Sequence, residues 1–285
     1  MATVVDALGS RFGDEVDHEI LRDPELTRLL SRRTCREYSP APVSSDLVDA
    51  LLRVAFSASS KSDYQQASVI KVEDPGRRAD LAALVPSMPW IGRSPAFLVF
   101  CADARRLARI CALRAHPQPN ANLEAFFNAS VDAALVMQTF ILAAERVGLG
   151  CCPISVIRNH LSRVAQILSL PSGVIPVAGL CIGYPVAPGH VSMRLPLAVT
   201  THTDAYDDTR LSELVDAYDQ RRAARHATPR EKQRSAEVFG YADFYGWSED
   251  KARQAAAREG SGFGAAVRAQ GCSSQHLIGQ TVSLG

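Results

Sequence analysis

Arg32, Arg33, Thr34 and Arg36 crowd three guanidinium groups and a hydroxyl into the segment SRRTCREY. A guanidinium fork binds phosphate through parallel N–H bonds, and a threonine hydroxyl adds a neutral donor. The segment leaves a helix, so its backbone is free to wrap an anion. The chemistry on offer is anion binding, although a solvated basic turn has the same composition and is the commoner outcome for such a cluster alone. A second group, Ser59, Ser60, Lys61 and Ser62, supplies hydroxyls and backbone N–H groups. Gln65 follows with an amide able to read the edge of a heterocycle; alone, this stretch would pass for a linker. Arg194 is an isolated cation in the apolar, proline-bounded segment MRLP.

The conventional catalytic groupings are missing. The seven cysteines show no CxxC spacing, and their odd number argues against a disulfide framework or a structural zinc. Several lie in apolar runs such as FLVFCAD and read as small buried hydrophobes. Cys151 and Cys152 are vicinal, a spacing that rarely closes a strain-free disulfide. No His/Cys/Asp group has metal-ligand spacing, and no nucleophile motif is present. Gly260–Ala265 formally fits a dinucleotide fingerprint. That fingerprint needs a strand before it, whereas a helix over 250–259 is expected there, so GSGFG reads as a helix end. No side chain is assigned as catalytic. If the chain is an enzyme, a cofactor must carry the chemistry.

The elements that must position these groups are arranged about Asn122–Gly150, the longest run with few breakers. Its apolar residues cover most of a helix circumference, as in a helix buried on all sides, and it reads as the buried spine of a soluble domain. Asp132, Gln138, Glu145 and Arg146 interrupt it, leaving no clean membrane span. Gly148 and Gly150 end it, and CCPISVI follows as a strand or an active-site loop. Upstream, Asp23-Pro24-Glu25 opens a helix to about Leu30. A second runs from Ser45 to about Phe56 and a third from Pro75 to about Val85. Strands are expected over 68–72, 96–101 and 174–183, with a basic helix over 104–113 and another helix capped by Asn159. Residues 207–235 are charged and helical. Four or five strands separated by helices give an α+β or three-layer α/β pattern.

Bulk composition excludes more than it assigns. Of 285 residues, 47% are hydrophobic and 21% charged, with a formal charge of +1. Nothing demands a nucleic-acid or membrane partner. The acidic residues in MATVVDALGSRFGDEVD do not suit a signal peptide, so a cytoplasmic location is expected.

Taken in order, RRTCREYSPAPV, AFSASSKSDYQQASVIKV, FLVFCAD, VDAALVMQTFILAAERVGLGCCPISVIRN, GLCIGYP and RLPLAVTTHTDAY resemble the FMN-dependent nitroreductase family. The closest likeness is to its NADPH-preferring oxygen-insensitive nitroreductases and flavin reductases. The resemblance implies an α+β fold, a three-layer α/β/α sandwich with a mainly antiparallel sheet around a buried central helix, in a domain-entwined homodimer. Residues 1–22, polar and weakly patterned, read as a mobile arm or a short helix; the resemblance implies an FMN-binding domain over 23–206 and a helical excursion over 207–271 packing on the partner or the cofactor site. Residues 272–285 read as a disordered tail.

By the same resemblance Arg32, Arg33, Thr34, Arg36 and Arg194 bind the FMN phosphate and ribityl chain. Ser60, Lys61, Ser62 and Gln65 contact the flavin, and Ile154, Ser155 and Val156 run along its edge. NADPH or NADH would reduce the flavin at N5, and a nitroaromatic, quinone or free flavin would be reduced in turn. The chain departs from the family pattern at Pro153–Val156, where glycines are usual, at Met88, at Ser192 and at Gly262. Arg253 and Arg258 are candidates for the cation missing at Gly262. The departures leave open a relative specialised for another redox step, such as dehydrogenation or reductive dehalogenation of a metabolite. A flavin-binding protein without turnover is also open.

Overall fold

The structure, a computed structural model, describes residues 4–13, 23–120, 122–187, 189–257, 259–260 and 262–271. The tail over 272–285, Arg258 and most of the arm expected over 1–22 lie outside those residues, apart from 4–13. In chain order the helices are α1 (Val4–Phe12), α2 (Pro24–Leu30), α3 (Ser45–Ala55), α4 (Pro75–Ala83), α5 (Trp90–Arg93), α6 (Ala104–Leu113) and α7 (Leu123–Arg146). They continue as α8 (Leu161–Ile167), α9 (Leu197–Thr200), α10 (Leu211–Arg225), α11 (Ala236–Phe239), α12 (Trp247–Ala256) and α13 (Phe263–Ala269). The strands are β1 (Ala67–Lys71), β2 (Ala96–Asp103), β3 (Gly150–Ile154) and β4 (Val174–Gly183). Two compact units form: Met1–Arg33 with His190–Glu259, and Thr34–Gly189 with Gly260–Gly285.

The larger unit is built on a four-stranded antiparallel sheet of order β1-β2-β4-β3. Alternate side chains of a strand point to opposite faces, and β2 is apolar at nearly every position, so both its faces are covered. Leu98 and Phe100 pack with Val48, Leu51 and Ala55 of α3 and Ala133, Phe140 and Ile141 of α7. Phe97, Val99 and Cys101 pack on the other side with Leu81, Ile91 and Val164. That division makes the three-layer α/β/α sandwich. Gly179 sits opposite Val99 in β4, where any Cβ would collide with the Phe97 ring.

Helix α7 carries its own start and stop signals. Asn122 accepts from the backbone N–H groups of Glu124 and Ala125 at 2.9 and 3.3 Å, with Glu124 in the first turn and Arg146 in the last. Gly148 follows with φ +86°. By length and composition α7 is apolar enough to cross a bilayer, yet it packs one face on the sheet. Phe140 meets Phe100 edge to face, with ring centroids 6.0 Å apart. The expected burial on all sides is not observed: the opposite face shows Leu123, Phe127, Val131 and Leu135 to solvent, 41–65% exposed, because the sheet covers only one face.

Of the two readings of CCPISVI the strand is observed, with Ile154 pairing to Gly179 as the last residue of β3; Ser155 then begins a 3-10 turn to His160. Without glycine the segment keeps extended geometry as far as Ile154. The helix expected from Asn159 begins instead at Leu161, after that turn. In the smaller unit α12 starts at Trp247 because buried Asp219 of α10 accepts from Ser248 N–H at 3.1 and 3.2 Å. It ends at Ala256, and Gly262 precedes a new helix, α13.

Candidate functional site

In the larger unit the serine loop is fixed by a side chain from the middle of α7. Asp132 is 2% exposed. Its carboxylate accepts from Ser60 Oγ at 2.8 Å, Lys61 N–H at 3.1 Å and Gln66 N–H at 3.0 Å. Ser60 Oγ accepts in turn from Gln65 N–H at 2.7 Å. These bonds hold a backbone with three left-handed residues, Ser62, Asp63 and Gln65, at φ of 50°, 56° and 52°. Such conformations cost free energy and persist where the surroundings over-determine them. Arg106 adds a clamp from α6, donating to Gln65 O, to Ala67 O at 3.0 Å and to Ser68 Oγ at 2.6 Å.

The loop borders a cavity of about 350 Å³ lined by Ser59, Ser60, Gln65, Gln66, Asp132 and Val136, among others. Gln66 is 2% exposed, and its Nε2 has no hydrogen-bond partner among the described residues. A buried amide donor without a partner is costly, and one beside a cavity suits a ligand acceptor. Gln65, by contrast, is exposed and donates from Nε2 to Asp63 at 3.0 Å.

The cationic segment is anchored at its centre. Cys35 N–H donates to Cys151 O at 3.0 Å, which ties Thr34–Arg36 to β3. The fit is close: a Cβ on Gly150 would come within 2.6 Å of Cys35 Cβ. Tyr38 donates to Cys35 O at 2.6 Å, and burial drives its hydroxyl pKa far upward, so it stays a donor. Burial also raises the Cys35 thiol. Arg36 is exposed, its guanidinium 5.6 Å from the centre of the Trp90 ring. Met88 packs among the apolar residues around Ile91. At the end of β3, Ile154 is buried in the core, Ser155 is exposed, and Val156 packs against the same cluster as Ile154.

In the smaller unit Arg33 and Arg194 expose their side chains, and Arg32 is half-buried. Tyr218 holds the chain before Arg194 by donating to Met193 O at 3.1 Å. Arg253, a candidate replacement cation, is committed elsewhere. It is almost fully buried, bonded to Glu249 Oε1 at 2.6 Å, and donates to Arg234 O at 3.0 Å and Gly240 O at 2.7 Å. Its charge serves the excursion and is not offered to a ligand.

The sequence reading overlooked Asp132 and Gln66. Asp132 was visible only as one acidic residue at a core position of an apolar helix. Gln66 differs from Gln65 by the side of the backbone it occupies, which spacing does not disclose.

The nitroreductase family model matches residues 29–184. The chain is 34% identical over 199 residues to an FMN reductase [NAD(P)H] of Bacillus subtilis, covering 68% of this chain and 80% of that protein. It is 32% identical over 208 residues to an oxygen-insensitive NADPH nitroreductase of Salmonella typhimurium, covering 72% and 83%. The chain belongs to the nitroreductase family. The solved structure of B. megaterium NfrA2 superposes with a TM-score of 0.78 at 30% identity, covering 87% of this chain and 98% of that one. The family model starts within α2, so α1 lies outside it.

Proposed function

We propose that the chain is an FMN-dependent NAD(P)H oxidoreductase of nitroreductase type. The B. subtilis and S. typhimurium relatives carry those activities in their names. The observation that carries the reading to this chain is the buried amide nitrogen of Gln66, without a partner among the described residues, beside the cavity under the serine loop. FMN combines a dianionic phosphate, a hydroxylated chain and a heterocycle rimmed with acceptors. The residues present fit it: guanidinium groups and a threonine hydroxyl for the phosphate, and amide and backbone donors for the ring.

Arg32, Arg33, Thr34, Arg36 and Arg194 hold the phosphate and ribityl chain in this reading. Lys61, Ser62, Gln65 and Gln66 address the ring. Ser60 acts by shaping the loop, because its hydroxyl is spent on Asp132 and Gln65. Ile154, Ser155 and Val156 border the ring edge. Bound FMN supplies hydride chemistry between NADPH or NADH and a nitroaromatic, quinone or flavin acceptor. Fixed donors at the ring favour negative charge that develops there, and no side chain is required as acid or base.

The apolar stripe of α7 suits a second copy of the chain, so the protein is read as a homodimer. The excursion after residue 206 would pack on that partner or near the cofactor, and the location would be cytoplasmic. With Ile154 and Ser155 in place of a glycine loop, backbone approaches the ring less closely, which favours a narrower acceptor range.

Purified protein is expected to be yellow, and the double variant Arg36→Ala, Arg194→Ala to lose FMN on gel filtration. A colourless wild type that cannot be reconstituted with FMN overturns the reading.

A further inference from the structure

Arg11, in the last turn of α1, is 7% exposed, and its carbonyl and guanidinium bind two segments far apart in sequence. Nε donates to Leu30 O at 2.9 Å, one terminal nitrogen donates to Ser192 O at 2.8 Å, and the other donates to Arg32 O. The backbone carbonyl of Arg11 accepts from Arg194 N–H at 2.7 Å. One residue is therefore bonded to the backbone of Arg32 and to that of Arg194. The helix bearing it is itself held, because Arg225 of α10 donates to Gly9 O.

We propose that Arg11 is a positioning residue for the cofactor phosphate. It sets the spacing between the Arg32–Arg33 segment and Arg194 so that their guanidinium groups converge on one anion. The planar guanidinium suits this task, since its rigid fork serves several carbonyls at once while a lysine ammonium is a single point charge. Preorganisation of this kind improves binding by removing the cost of ordering flexible arginines as the ligand arrives. Arg11 makes no contact with the ligand in this account. The α1 helix lies before the start of the family model.

The inference rests on the proposed FMN reading, and its test separates the two. Apoprotein is titrated with FMN and with riboflavin, which lacks the phosphate, by quenching of flavin fluorescence. The wild type is compared with Arg11→Ala, Arg11→Lys and Arg194→Ala, and thermal melting reports folding. Arg11→Ala is expected to raise the Kd for FMN about tenfold or more and to leave riboflavin binding unchanged. Arg11→Lys should fall between it and the wild type. Loss of FMN and riboflavin affinity in equal proportion, or no change in either, overturns the brace. If Arg194→Ala does not weaken FMN, the phosphate assignment itself fails and the brace fails with it. If Arg194→Ala weakens FMN and Arg11→Ala does not, only the brace is wrong.

Discussion

In the unit spanning Thr34–Gly189, the sheet buries Phe97, Phe100, Leu98 and Val99 between two helical layers. In the unit formed by Met1–Arg33 and His190–Glu259, the buried residues include Arg11, Asp219 and Arg253, each bonded to backbone or side chains remote in sequence. One unit is held mainly by apolar area, the other to a larger degree by directed polar contacts. Apolar burial is non-directional. A buried arginine bonded to several carbonyls fixes particular strands of chain relative to each other, and its removal leaves those acceptors unpaired.

The comparison predicts a graded series. Phe140→Ala should destabilise most, by about 3–5 kcal/mol, read as a fall in thermal midpoint with cofactor present or absent. A near-neutral effect would mean that α7 is not fastened to the sheet through Phe140 and Phe100. Asp132→Asn comes next. It keeps the volume but turns an amide NH2 towards donors that the carboxylate served, at a cost of about 1–3 kcal/mol. It should also weaken FMN binding, because the serine loop loses its anchor. If FMN affinity is unchanged, the loop does not contact the flavin. Asp219→Ala should have the smallest global effect and a local one. It removes the cap of α12, so amide exchange should rise over 247–250 while β2 stays protected. Uniform loss of protection across the sheet would contradict the division into two kinds of unit.

The same contrast explains what could be read from the chain. The helix over 104–113 and the strand over 174–183 are observed with the bounds expected, because period and caps are local signals. Strand β2 was expected to stop at Cys101 and runs to Asp103, whose carboxylate caps α6 at Arg106 N–H, 2.9 Å away. The cationic segment Arg32–Arg36 stood out by residue type. What holds it did not: Arg11 lies 181 positions from Ser192, and Asp132 lies 72 from Ser60. No periodicity links such pairs. Arg253 illustrates the converse, since composition marks a cation but not whether a glutamate already engages it.

The central claim is tested most directly by the visible absorbance of the purified protein before and after anaerobic addition of NADPH, with NADH as the parallel sample. The account predicts a flavin band that bleaches with at least one of them and returns when an electron acceptor is added. A protein that shows no flavin band after reconstitution, or whose band is unmoved by both nicotinamides, would contradict it.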